Sequence, residues 1–145
     1  MNILFFLKPK KDVTFIFDNE TLRQALEKME HYRYAAIPII DHENGTYLGT
    51  ITEGDLLWYI KERYDLTTKE AEETPILSVK RMRDNEPVDA DSDIEDLISK
   101  VVNQNFVPVL DDTGCFIGII TRKDVILYLM SKCSVQKEGI KNASF

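Results

Sequence analysis

Gly49-Thr50-Ile51-Thr52-Glu53-Gly54-Asp55-Leu56 returns later in the chain as Gly118-Ile119-Ile120-Thr121-Arg122-Lys123-Asp124-Val125. Each copy reads as a strand that ends in Thr and leads into a helix whose third residue is Asp. Upstream of each lies an apolar run broken by proline, Ala36-Ile37-Pro38-Ile39-Ile40 and Phe106-Val107-Pro108-Val109-Leu110. A turn separates run from motif, Asp41 to Gly45 in one copy and Asp111 to Gly114 in the other. The correspondence reaches back to Lys8/Lys80, Lys11/Arg83 and Asp12/Asp84, 72 residues apart. It narrows to 70 at Pro38/Pro108 and to 69 at Thr52/Thr121 and Asp55/Asp124. An internal repeat sets the architecture before any single motif does. Each copy is too short to cover both faces of its own sheet. Two copies are therefore expected to pack about a pseudo-twofold over one shared core.

The flanking segments supply the remaining elements. Val13-Thr14-Phe15-Ile16-Phe17 has the β-branched and aromatic character of a strand. Thr21-Leu22-Arg23-Gln24 has the form of a capping box, followed by Leu22, Ala25, Leu26 and Met29 at helical spacing. Pro38 cannot donate to a ladder, so it requires a sheet edge, a strand start or a bulge. The helix after Thr52 carries Leu56, Leu57, Ile60 and Tyr64 on one stripe. Trp58 and Tyr59 lie off it, toward the other repeat or a partner chain. Ser92 is expected to cap a helix bearing Ile94, Leu97, Ile98 and Val101, and Thr121 one bearing Val125, Ile126, Leu129 and Met130. The fold class is α+β, two β-α-β-β-α repeats. Residues 1–64 form the first repeat with an N-terminal arm, 65–75 a linker, 76–133 the second repeat, and 134–145 a flexible tail.

Composition excludes several functions. The 145 residues carry a net charge of −7, which argues against a nucleic-acid binder, although a local basic pocket can still hold phosphate. Cys115 and Cys133 have no partner at metal-ligand spacing and are expected to be reduced thiols. His31 and His42 read as isolated surface residues. There is no Walker loop, no metal-spaced cluster and no nucleophile–base set, so no catalytic or metal-binding residue is assigned. Met1 to Leu7 is apolar but far below the roughly 20 residues of a membrane span and does not read as a signal peptide. It is expected to cover the edge of the core, with a membrane toe-hold as the alternative.

The Thr-x-x-Asp motif has two readings. As a capping box it only satisfies the helix start. As a site, Asp accepts hydrogen bonds from ribose hydroxyls while Thr and the helix amides face a phosphate. The basic run Lys80-Arg81-Met82-Arg83 is either a solvated linker or converges with Arg122 and Lys123 on phosphate, where Arg offers a bidentate fork. The first copy has Glu53 and Gly54 where the second has Arg122 and Lys123. The helix start at Asp124 is therefore expected to face the phosphate-rich part of a ligand, and the Asp55 site to be weaker, empty, or dependent on the other repeat.

The doubled apolar-Pro-apolar run, turn and Gly-x-Ile-Thr-x-x-Asp resemble a tandem pair of CBS domains, a Bateman module of the stand-alone bacterial type, over roughly residues 8 to 130. The resemblance implies a cytoplasmic regulatory module, not an enzyme, that binds an adenine nucleotide between its repeats: AMP, ADP, ATP or cyclic di-AMP. It implies nucleotide-binding roles for Thr52, Asp55, Thr121 and Asp124. It also implies that backbone and apolar groups of Ala36, Ile37, Pro38, Phe106, Val107 and Pro108 hold adenine. No cofactor is required. A homodimer anchored by Trp58, Tyr59 and Tyr128 and an effector protein of unknown identity would carry the signal. The alternative is a ligand-insensitive adaptor that presents Trp58 and the apolar N-terminus to a partner.

Overall fold

The computed structural model describes the backbone of residues 1–63 and 65–143 and the side chains of 1–63 and 65–133. The elements run β1 (Lys8–Pro9), β2 (Ile16–Phe17), α1 (Leu22–Tyr32), β3 (Ala36–Ile40), β4 (Tyr47–Thr52), α2 (Glu53–Glu62), α3 (Thr68–Glu73), β5 (Val88–Asp89), α4 (Ile94–Val101), β6 (Phe106–Leu110), β7 (Phe116–Thr121) and α5 (Arg122–Ala143). Two β-α-β-β-α repeats are present, β2 to α2 and β5 to α5, with α3 between them. Their sheets have strand orders β2-β3-β4 and β1-β7-β6-β5. In each repeat the first strand is parallel to the second, and the second and third form an antiparallel hairpin.

Local chemistry sets the boundaries. The Thr21 and Gln24 side chains and backbones bond reciprocally to open α1. Its end falls at Arg33, which takes the left-handed conformation usual for glycine (φ 58°). Pro38 sits in the middle strand of its sheet, yet β2 pairs only with Ile39 and Ile40. On that side Pro38 is locally at an edge, and a register shift follows at Ile39/Ile40. The cap of α4 is Asp93, one residue after the expected Ser92, and its carboxylate accepts from Asp96 N–H at 2.9 Å. Helix α5 continues through residues 134–143, where a flexible tail was expected; Gln136, Lys137, Glu138 and Lys141 are good helix formers.

The expected single core is in fact two. One contains Ile16, Leu22, Ala25, Ile37, Ile51 and Leu56 of the first repeat, together with Ala71, Ile76 and Val79 from the start of the second half. The other contains Val88, Leu97, Val107, Ile120 and Val125, together with Ile3 and Phe6 from the N-terminal arm. Each repeat thus inserts its leading segment into the other's core. A sheet of this size cannot cover both faces with its own two helices, and the exchanged segment supplies the missing apolar surface. The arm therefore covers a core; Ile3 and Phe6 are 0% and 7% exposed.

Some expected placements differ. Leu57 faces solvent at 65% exposure although it neighbours Leu56. Tyr128 is not an exposed anchor: Phe5 and Phe6 pack edge-on against it, with the Phe6 ring centroid 5.2 Å away. Tyr59 lies partly buried against the first core, whereas Trp58 is exposed. Tyr64 lies outside the described residues. His42 is not isolated, since Asp18 accepts from its backbone N–H at 2.9 Å and lies 2.8 Å from its Nδ1. The two hairpin turns meet near the pseudo-twofold, where Phe116 N–H donates to Gly45 C=O at 2.9 Å and Cys115 Sγ to Asn44 C=O at 3.2 Å.

Candidate functional site

An open cleft of about 190 Å³ lies between the two repeats. Its walls are mostly apolar: Val13, Ala35, Ala36 and Pro38 from the first repeat, Phe106 and Ile119 from the second. Lys8, Thr14, Tyr34, Asn105 and Thr121 place polar groups around them. The alternation of β3 and β6 decides which run residues take part. Ala36, Pro38 and Phe106 face the cleft, while Ile37 and Val107 are 1% and 0% exposed inside the two cores. The Tyr34 ring stacks on Tyr32, with 6.1 Å between centroids, and Lys8 Nζ lies 6.0 Å from the Tyr34 centroid.

The two Thr-x-x-Asp motifs, alike in sequence, have different side-chain partners. At Thr52 the capping box is complete: the hydroxyl accepts from Asp55 N–H and the Asp55 carboxylate accepts from Thr52 N–H, both at 3.1 Å. The other Asp55 oxygen accepts from Met82 N–H at 3.0 Å, and the residue is 2% exposed. At Thr121 the hydroxyl accepts from Asp124 N–H at 3.2 Å. Asp124 itself is exposed, and among the described residues its carboxylate accepts no hydrogen bond. One motif is absorbed into the fold; the other leaves a free carboxylate at a helix start that adjoins the cleft.

The pseudo-twofold maps the apolar walls of the cleft onto a second position, where they are filled, although a cavity remains beside Asp55 and Lys80. Val13, Tyr34, Ala36 and Ile119 of the open cleft correspond to Asn85, Gln104, Phe106 and Thr50. Asp84 accepts from Thr50 N–H at 2.9 Å and from Arg81 Nε at 2.8 Å. Asn85 donates through its side-chain amide to Phe106 C=O at 3.1 Å and through its backbone to the Thr50 hydroxyl at 3.3 Å. Gln104 donates to the same Phe106 carbonyl at 3.2 Å and accepts from Glu86 N–H at 2.8 Å. The Tyr47 hydroxyl donates to Asn85 C=O at 2.7 Å, and burial raises the pKa of this phenol. Burial also acts to raise the Asp84 carboxyl, but the bonds from Arg81 and the Thr50 amide outweigh it and hold the group below its ordinary range. Gly49 permits the approach, because a Cβ there would stand 2.6 Å from Asp84 Oδ1. On the matching edge of β7, strand β1 takes this role with backbone pairing.

The basic residues do not converge. Arg81 is engaged with Asp84, and Arg83 is exposed. Arg122 Nε donates to the Val101 and Gln104 carbonyls at 2.7 and 3.1 Å, closing the end of α4. Lys123 lines a shallow surface with Ile126 and Leu127. Lys80 lines a cavity of about 250 Å³ beside Asp55, Trp58, Tyr59, Glu62 and Met82. Pro108 is buried. Sequence reasoning missed Lys8, Val13, Thr14, Tyr34, Ala35, Asn105 and Ile119 as cleft residues. Their only signal was position: Ile119 lies within the repeated motif, Tyr34, Ala35 and Asn105 just before the apolar runs, and Val13 and Thr14 just before β2.

Two tandem α+β repeats enclosing an apolar inter-repeat cleft define a class of paired-domain proteins. The chain belongs to the CBS domain family, whose profile matches residues 6–62 and 77–131. It is similar to CbpB, whose crystal structure in complex with c-di-AMP aligns with a TM-score of 0.83 at 25% identity, covering 96% of this chain and 91% of that one. A CBS domain protein from Streptococcus pneumoniae TIGR4 aligns with a TM-score of 0.78 at 29% identity, over 89% of this chain and 86% of that one. An uncharacterized protein of Methanocaldococcus jannaschii is 27% identical over 146 residues, 91% of this chain and 50% of its own length. The chain spans no more than half the length of the curated relatives it matches. Among the described residues, no helix is long and apolar enough to cross a membrane.

Proposed function

We propose that the protein is a regulatory module that binds an adenine nucleotide in the open cleft between its repeats. The observation that carries this reading is the pairing of an apolar slot with an uncommitted Asp124 at the start of α5. A purine has apolar faces and a polar edge, which suits walls such as Ala36, Pro38 and Phe106. A slot of about 190 Å³ is below the roughly 300 Å³ at which whole-ligand pockets begin. The base therefore enters, and ribose and phosphate emerge past Thr121. There Asp124 accepts from ribose hydroxyls, and the helix amides and Lys8 meet phosphate. Similarity to CbpB, crystallised with c-di-AMP, supports including cyclic di-AMP with AMP, ADP and ATP as candidates. The nucleotide acts by preferring one arrangement of the repeats, or of a homodimer, over another, and an effector protein reads the change. The cleft lining offers no nucleophile–base pair, which supports binding over turnover. The alternative, a ligand-insensitive adaptor, would use Trp58 and the exposed Met1, Leu4 and Phe5 of the arm, whose Ile3 and Phe6 are consumed in the second core.

Isothermal calorimetry with AMP, ADP, ATP, cyclic di-AMP and a guanine nucleotide tests the reading. We expect adenine-selective binding that is lost in Asp124→Ala. The ligand also raises stability, by about 2.7 kcal/mol at a hundredfold excess over its Kd. Absence of binding across the panel at millimolar concentration would overturn it.

A further inference from the structure

The geometry points to a second nucleotide cleft that the chain closes with its own side chains, so that each chain takes one ligand. The inference rests on the adenine-nucleotide reading of the open cleft. Both repeats carry the parts of such a cleft: the strand with its proline, the outer strand edge, and the Thr-x-x-Asp helix start. In the open cleft the walls at Val13, Ala36 and Ile119 are apolar and stand apart. At the symmetric position Asn85 bonds to both Phe106 and Thr50.

The bonds made there are those a nucleotide would need. A base amine donates to a strand carbonyl; here the Asn85 and Gln104 amides both donate to Phe106 C=O, at 3.1 and 3.2 Å. A ligand oxyanion accepts from a backbone amide and a guanidinium; here the Asp84 carboxylate accepts from Thr50 N–H and Arg81. A ribose hydroxyl donates to the motif Asp; here Met82 N–H occupies Asp55. Residues 81–85 and Gln104 thus reproduce the polar contacts of a ligand. Arg81, read from sequence as a phosphate contact, instead holds Asp84 in place. A ligand entering this position would have to break at least one protein hydrogen bond for each one it makes, whereas at the open cleft the Asp124 carboxylate accepts none among the described residues.

Native mass spectrometry with AMP and with cyclic di-AMP, each at saturation, counts ligands per chain. The wild type is expected to hold one. Val13→Trp fills the open cleft without touching the closed one and is expected to hold none. Asp84→Ala combined with Asn85→Ala removes two of the closing groups, the ones on the Thr50 amide and the Phe106 carbonyl, and is expected to hold two. Two ligands on the wild type, or one retained by Val13→Trp, would refute the inference. So would a count of one on the folded double variant. If that variant does not fold, the Val13→Trp count alone decides. A readout without ligand separates this inference from the functional reading. Hydrogen exchange at the Thr50 amide is expected to be slow in the wild type and faster once Asp84 is alanine. Fast exchange in the wild type would refute the closed cleft even if AMP binds, and slow exchange with no AMP or cyclic di-AMP bound would sink only the functional reading.

Discussion

At the scale of single residues, two aspartates with the same motif position have opposite duties. Asp55 accepts two backbone N–H bonds while almost fully buried. Its loss strands both donors, so Asp55→Ala is expected to lower unfolding free energy by about 2–3 kcal/mol. Asp124 is exposed, and Asp124→Ala is expected to cost less than about 1 kcal/mol. Urea denaturation compares the two, and equal losses would contradict the assignment. His42 and Asp18 give a pH signature. The Asp18 hydrogen bond raises the His42 pKa above 6.5, and the same bond lowers Asp18 below 3.8. The His42 contribution is therefore complete below pH 6.5 and fades as pH rises through the shifted value. The Asp18 contribution is complete above pH 3.8 and fades as pH falls through its own. NMR titration is expected to find His42 above the ordinary histidine value and to bring it back down in Asp18→Asn. The sequence showed both motif aspartates but not their partners. Met82 N–H reaches Asp55 across 27 residues, and no local pattern encodes that.

At the scale of elements, the repeat made strands, hairpins and helix starts legible, because capping boxes and apolar periodicity act within a few residues. The face of a helix was less legible. Leu57 looks like a core residue from its neighbours but is exposed, since α2 already buries Leu56 on its inner side. Ile126, Leu127 and Met130 on α5 are likewise 45%, 52% and 59% exposed. Surplus apolar surface on the terminal helices of both repeats is what a homodimer through α2 and α5 would use. Leu127→Glu is expected to shift sedimentation from dimer to monomer while leaving the circular dichroism unchanged; an unchanged sedimentation coefficient would remove these helices as the interface. The basic run 80–83 was misleading for a different reason. Charge in the sequence says nothing of the nearest acid, and Asp84 lies one residue beyond the run.

At the scale of the whole molecule, the repeat announced the pseudo-twofold but hid the exchange of leading segments between cores. Sequence adjacency assigns Ile76 to the second repeat and Ile3 to the first, whereas packing assigns them the other way. Neither repeat owns a complete core, so the two are expected to unfold in one transition. Ile3→Ala, which empties a fully buried site, is expected to cost about 2–4 kcal/mol. It should lower the midpoint reported by Trp58, in the first repeat, as much as that reported by far-ultraviolet dichroism. Separate midpoints would show that the repeats fold independently. The exchange also bears on covalent continuity. A chain cut within residues 65–67 keeps Ile3 and Phe6 on one fragment and Ile76 and Val79 on the other, each piece holding what its counterpart lacks. The halves are expected to behave as a split pair: each is incomplete alone, mixing them should restore both cores, and continuity of the chain near residues 65–67 raises their effective concentration.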